Sequence, residues 1–444
     1  MSKKFSELYS EEHIEEVAYE TGFITRKRKL SPLSFLDTLL FNKQDNESVS
    51  LNDYSVSLQV RHQMQIRRQS IDERFNERSV AFVRKLLEEQ LEKQLETALK
   101  PVCFQRFTSV KIKDSTRFEL SDSLKDAYPG NGGAASEAGA HIQFEFDLKN
   151  GKTSEIKITD AKHQDVTEAE ISLPEIEEGS LIIRDLGYFS MKVFQDIASE
   201  RKAYFISRLK PRIKIFTCTA GRFDPLDLEK EYQSLKQTGL AWKELEVYIG
   251  EDRKVPVRML IELLPEQEME KRMRKASREA QKKGRVLSKE YRAYASLGLF
   301  ITNVPKQWIK SEHIRKIYQL RWQIELRFKC WKGLCRIHLI KKMKLHRLNT
   351  CLYACLLYIL INWEISMSLL SHYWKTTSRI LSVYKCFKAI IQSTSMLREA
   401  LFRGVRKLQD YFKVIENIDP RNLWLENRNG RLCLEKILLT NLEK

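Results

Sequence analysis

A chain of 444 residues has length for two to four domains and a core large enough to house an enzyme. Lys and Arg number 77 against 59 Asp and Glu, a net charge of +18, so nucleic acid is the expected partner. Eight cysteines without a C-x2-C pair or zinc-finger His partners, and an N-terminus without an apolar run, argue against a disulfide scaffold, a zinc finger and a signal peptide.

Residues 1–100 read as helical. In Phe23 to Phe41 a basic cluster, Arg26, Lys27, Arg28 and Lys29, precedes a helix start with Ser31 as N-cap and Pro32 at its first position. A second start at Ser50 to Asp53 predicts a helix that continues through VRHQMQIRRQ, carrying Arg61, His62, Arg67 and Arg68. Short helices with basic faces suit a DNA-end-binding domain, with Arg26, Lys27, Arg28, Arg61, Arg67 and Arg68 as candidate DNA contacts. A helical packing domain with solvated charges is the competing reading.

From about residue 101 the period changes to that of strands. Phe107 to Asp114 alternates and is expected to end on its acid. HIQFEFDL and SEIKITD alternate on either side of Asn150-Gly151, a strong hairpin signal. Leu181 to Ile183 is a short apolar run suited to a central strand, with Asp185 at its end. A helix, MKVFQDIASERK, and a strand, AYFISRL, follow. That alternation argues for an α/β core.

Between about 210 and 298 come three candidate strands, RIKIFTCT, ELEVYIG and VPVRMLIELL, and a charged helix from Pro265 to Arg292 with ten basic residues. Gly298 to Val304 returns to strand character, and one helix is expected across Pro305 to Lys332. The thirteen uncharged residues Cys351 to Trp363 fall short of the ~20 that cross a bilayer and read as a buried helix. Helices continue to the end, the last from about Arg421.

One stretch carries chemistry in its spacing. In YQLRWQIELRFKCWK, at about 100° per residue on a helix, Tyr318, Arg321, Glu325 and Lys332 share an arc of about 60°. A core face would be apolar there, and a solvated face would scatter its charges. An acid between cations stays ionised and suits a metal, while Arg, Lys and Tyr suit phosphate oxygens. The pattern Y-x2-R-x3-E-x6-K resembles the YREK signature of bacterial insertion-sequence transposases of family four.

That resemblance implies an α/β fold with an RNase H-like mixed sheet flanked by helices, a mainly β insertion domain, and helical N- and C-terminal regions. The corresponding division is 1–100 for DNA binding, 101–209 with 299–375 for catalysis, 210–298 for the insertion and 376–444 for the C-terminal region. It implies a DDE active site in which Glu325 is joined by two upstream Asp residues. Asp114 in KIKDST and Asp185 in LIIRDLGYF best match the family's context, giving Asp114, Asp185 and Glu325 as catalytic and metal-binding residues. Asp122, Asp126, Asp147, Asp160 and Asp165 also stand near candidate strand ends, where an Asp is commonly a turn or cap residue.

Phosphodiester cleavage without a protein nucleophile needs carboxylates that hold divalent ions. Oxygen ligands favour Mg²⁺, with Mn²⁺ as a substitute. Arg321 and Lys332 read as phosphate clamps, Tyr318 as a hydrogen-bonding group to phosphate, and Trp322 as a base-stacking side chain or a helix anchor. Trp242 and Trp308 are weaker stacking candidates, and Trp331 reads as core.

The resulting expectation is a cut-and-paste transposase acting on double-stranded transposon ends and target DNA. It would be a homodimer on DNA, cytoplasmic and nucleoid-associated in a bacterium, and without membrane contact. An RNase H-like nuclease, a non-catalytic DNA-binding protein derived from a transposase, and a membrane-surface protein are the alternatives.

Overall fold

The computed structural model describes residues 1–426 except 27, 43–48, 97–100, 134, 253–254, 283, 285 and 378. Lys27, Cys433 and the part of the expected last helix beyond 426 lie outside the described residues. Residues Pro420–Asn422 form a 3-10 turn.

Helices begin where side chains can satisfy their first N–H groups. Ser31 accepts from the Ser34 N–H ahead of helix Pro32–Phe41. Ser50 and Asp53 form a reciprocal capping box at Leu51–His62. This second helix does not run on through Arg68 as its pattern predicts. Gln63 is left-handed, φ 55°, and its N–H turns back to the Gln59 and Leu58 carbonyls, so Arg68 opens a separate short helix, Arg68–Asp72. Asn76 caps helix Glu77–Glu92.

Ten strands form one mixed sheet: β1 (Val110–Leu120), β2 (Ala138–Asp147), β3 (Lys152–Asp160), β4 (Leu181–Arg184), β5 (Tyr204–Arg208), β6 (Ile215–Thr219), β7 (Arg222–Pro225), β8 (Trp242–Ile249), β9 (Val255–Leu263) and β10 (Leu297–Thr302). Their order is β3-β2-β1-β4-β5-β10-β9-β8-β6-β7. β4 runs parallel to both β1 and β5, and the other pairs are antiparallel. Gly151, φ 72°, supplies the left-handed residue of the β2–β3 turn that Asn150-Gly151 signals.

Strand periodicity sends alternate side chains into two cores. Leu181, Ile183, Ile206 and Phe300 face one, together with the N- and C-terminal helices. Ile182, Phe205, Leu299 and Ile301 face the other, under helices Asp165–Ile171, Met191–Ser199 and Leu228–Thr238. Strands β6 to β9 extend this same sheet, because β10 pairs with β5 on one side and β9 on the other.

Three further expectations change in detail. β1 does not end at Asp114 but continues to Leu120, because β2 pairs with it from Lys111 onward. The charged segment forms two helices, Glu266–Lys282 and Lys289–Ser296, with Gly284 at φ 61° between them. Pro305 to Lys332 likewise holds two helices, Ser311–Gln319 and Trp322–Gly333.

The apolar run lies within helix Leu345–Thr377, whose most hydrophobic window is 83% buried inside the protein. This is a core helix, as its neighbours show. Glu364 on it accepts from Lys4 at 2.6 Å and from Gln90 at 2.5 Å, tying the first helix and Glu77–Glu92 to the centre. Seven cysteines, Cys103, Cys218, Cys330, Cys335, Cys351, Cys355 and Cys386, are free thiols.

Candidate active site

The parallel register of β1 and β4 sets the site. Lys113 pairs with Arg184, the last residue of β4, so Asp114 and Asp185 are the next residue on each of two adjacent strands. β4 stops there because Asp185 opens a 3-10 turn, Leu186–Tyr188. Asp114 therefore lies mid-strand toward β2 but beyond the last pairing toward β4.

Glu325 arrives on helix Trp322–Gly333, which is fixed to the sheet by aromatic packing. Phe144 of β2 meets the Trp331 ring at 4.9 Å and the Phe328 ring at 6.1 Å, both edge-on. Trp331 is buried core, as its position suggests. Between this helix and Ser311–Gln319 the backbone tightens. The N–H groups of Leu320, Arg321, Gln323 and Ile324 each bond three residues back rather than four.

That tightening leaves Tyr318 in the last turn of the first helix and Arg321 as the N-cap of the second, aimed into the acids. Its Nη1 is 2.7 Å from Asp114 Oδ2, its Nη2 is 2.6 Å from Glu325 Oε1, and its Nε is 3.6 Å from Asp185 Oδ1. Three carboxylates from β1, the end of β4 and a helix thus converge on one guanidinium. Asp114 forms the inner wall at 17% side-chain exposure, while Asp185 and Glu325 face solvent at 45% and 57%.

Burial raises the Asp114 pKa to about 6, against the downward pull of Arg321 and with a further upward push from Asp185 and Asp165. For Arg321, burial favours the neutral form, but Asp185 and Asp114 outweigh it and raise its pKa. Tyr318 is buried against the Phe300 ring at 5.6 Å, and its hydroxyl has no hydrogen-bond partner among the described residues. Burial and then Asp185 push its pKa to about 12, while Arg321 and Arg208 lower it. Lys332 donates to the Arg117 carbonyl at 3.1 Å, and partial burial lowers its pKa.

The donors are all anionic oxygens, the set a hard divalent cation takes. Among the described residues no three His, Cys, Asp or Glu side chains stand close enough together to share a metal ion. The three side chains carry the charge and donor type that a divalent cation takes, and Arg321 stands among them.

Other residues distribute unevenly. Trp322 is half-buried beside Arg321, Trp242 is 40% exposed on β8, and Trp308 packs against Phe107, Tyr204 and Arg106. Arg26, Arg28, Arg67 and Arg68 are exposed. Arg61 turns inward and donates to the Phe41 carbonyl at 3.2 Å, and His62 bonds the buried Asp37 at 2.6 Å. Two neighbours of the site escaped the sequence reading as such. Arg208 is the last residue of β5, where its strand-end position was the available signal, and Asp165 stood among the competing acids.

Comparison with known proteins agrees with this architecture. Residues 105–361 match the transposase DDE domain. The transposase for insertion sequence element IS231D of Bacillus thuringiensis subsp. finitimus is 31% identical over 433 residues, covering 94% of this chain and 89% of that protein. The IS231E transposase of the same organism is 30% identical with the same coverage. The IS1151 transposase of Clostridium perfringens is 27% identical, over 91% of this chain and 88% of its own. With the domain spanning more than half its length, this chain belongs to the DDE transposases of insertion sequences, which catalyse DNA cleavage and strand transfer.

Proposed function

We propose that Asp114, Asp185 and Glu325 are the catalytic triad of this transposase and that they hold Mg²⁺, with Mn²⁺ as a substitute. The observation that carries this reading is the convergence of all three carboxylates on Arg321, at 2.7, 3.6 and 2.6 Å. A divalent pair bound there supplies Lewis acidity to the scissile phosphate and lowers the pKa of the attacking water or 3′ hydroxyl. The chain's own residues do the positioning. Arg321 neutralises the acids in the DNA-free protein and turns to phosphate when DNA enters. Tyr318 offers a hydroxyl beside it, Lys332 lies about two helical turns beyond Glu325 on the same face, and Trp322 stacks on a base.

The order β3-β2-β1-β4-β5, with β4 parallel to both neighbours, supports an RNase H-like core of 101–209 and 299–375. Residues 210–298 then act as the insertion and 376–444 as the C-terminal region. The spacing of Tyr318, Arg321, Glu325 and Lys332 supports membership of family four. Exposed Arg26, Arg28, Arg67 and Arg68 of the 1–100 region, with Lys27, are the proposed contacts to the terminal inverted repeats.

Cut-and-paste transposition by a homodimer on two paired DNA ends, in the bacterial nucleoid, is the function this arrangement supports best. The test is incubation of the full-length protein with Mg²⁺, DNA carrying the element's ends and a target plasmid. Cleavage at the ends followed by covalent joining of 3′ hydroxyls to the plasmid is expected. Cleavage without joining would make the protein a nuclease instead.

A further inference from the structure

A third aspartate sits between the two proposed for catalysis. Hydrogen-bonded pairing of β1 with β4 ends at Lys113 and Arg184, so no backbone ladder joins the strands where Asp114 and Asp185 stand. Asp165, the first residue of helix Asp165–Ile171, bridges that gap. Its Oδ1 accepts from Ser115 Oγ at 2.9 Å and from Gln143 Nε2 at 3.0 Å. Ser115 follows Asp114, and its N–H donates to Asp114 Oδ1 at 2.8 Å.

The second oxygen of Asp165 lies against Gly187, two residues after Asp185. A Cβ at position 187 would stand 2.7 Å from Asp165 Oδ2 and 3.3 Å from its Cβ, too close for any side chain without a shift. The adjoining Tyr188 hydroxyl donates to Gln143 Oε1. Behind the carboxylate, the buried His141 directs Nδ1 to the His163 carbonyl at 3.0 Å, and its Nε2 faces Asp165 Oδ1 at 3.5 Å. One carboxylate thus accepts from the side chain of the residue after Asp114 and lies against Gly187, two residues after Asp185.

We propose that Asp165 is a positioning residue that sets the separation of Asp114 and Asp185, a role that rests on the catalytic assignment of those two. It fixes the strand ends after the ladder stops. It does not itself touch the reacting phosphate.

The test uses full-length Asp165→Ala, Asp165→Asn and Ser115→Ala, with Asp114→Asn as control. The readouts are Mn²⁺ affinity of the DNA-free protein by electron paramagnetic resonance, and kcat and KM for cleavage of end DNA. Loss of a group that orients a metal ligand costs about 10–100-fold, so Asp165→Ala lowers both kcat and Mn²⁺ affinity by that factor while KM stays near wild type. Asp165→Asn, which keeps one acceptor for Ser115, falls between. Should Asp165→Ala not fold, Ser115→Ala carries the same expectation. Wild-type kcat and Mn²⁺ affinity in folded Asp165 and Ser115 variants, with Asp114→Asn inactive, would overturn the positioning role. Full activity of Asp114→Asn would instead overturn the catalytic reading beneath it.

Discussion

Arg321 Nη1 and Asp114 Oδ2 are 2.7 Å apart, and the same guanidinium reaches Asp185 and Glu325. The acids therefore have an internal counter-ion, and any divalent cation competes with it. Releasing one partly exposed ion pair of ~1 kcal/mol is worth about fivefold in affinity. Arg321→Ala is expected to bind Mn²⁺ about that much more tightly in calorimetry without DNA, yet to cleave end DNA more slowly for want of the proposed phosphate contact. Weaker Mn²⁺ binding by the variant would mean that Arg321 organises the acids rather than blocks them.

The raised Asp114 pKa gives a second expectation. Burial holds the group at about 6, so below that pH it is protonated and cannot ligate. Mn²⁺ affinity of the wild type should fall by about tenfold per pH unit below about 6, since binding there displaces one proton. The same shift means that ionised Asp114 costs the fold stability above pH 6. A metal affinity that is flat from pH 7 to 5 would contradict this.

Stability at low pH should depend on a neighbouring cluster. The fully buried Lys113 donates to Glu168 at 3.0 Å, with Lys157 at 3.1 Å and His163 at 2.8 Å on the same carboxylate. Burial pushes the Glu168 pKa up, but Lys113 and its other partners win and bring it down to about 2. A depressed carboxylate pKa stabilises above the unfolded value of ~4.3 and is lost as pH falls toward about 2. Glu168→Gln should lose about 3 kcal/mol at pH 7 and show a shallower acid limb in urea titrations between pH 5 and about 2. An unchanged limb would remove Glu168 from the account.

Arg327 offers a contrast on the same helix as Glu325. Its guanidinium lies 3.0 Å from the Phe146 ring centre and 3.9 Å from that of Trp363, fully buried, with Nε and Nη1 lacking hydrogen-bond partners among the described residues. Cation–π contact contributes ~2 kcal/mol, whereas burying an unpaired charge costs several. Arg327→Leu should leave Tm unchanged or raise it, while Trp363→Ala, which opens a cavity, should cost about 3–5 kcal/mol. A large loss in Arg327→Leu would show that the cation is needed in the core.

Much of this arrangement was legible in the sequence, and the remainder had physical reasons to be hidden. The apolar run before Asp185 and the caps at Ser31 and Ser50 are local signals, and each sits where local chemistry puts it. Asp114 reads as a strand end because an acid followed by Ser115 and Thr116 closes the alternating run, whereas pairing with β2 carries the strand on to Leu120. The break between Tyr318 and Trp322 is a change of hydrogen-bond spacing, which a helical projection does not register. Arg61 shares its helix with exposed polar residues, and only tertiary packing turns it toward Phe41. The meeting of Asp165 with Gly187 depends on two segments that sequence spacing does not relate.

The most direct measurement is single-turnover cleavage and joining of end DNA in Mg²⁺ by wild type and Glu325→Gln, with DNA affinity measured alongside. The substitution removes one carboxylate charge from an exposed helix turn and leaves the buried neighbours Ile324, Phe328 and Trp331 unaltered. Loss of both reactions with DNA affinity intact is the predicted result. Cleavage and joining by Glu325→Gln at the wild-type rate would contradict the assignment of the three acids.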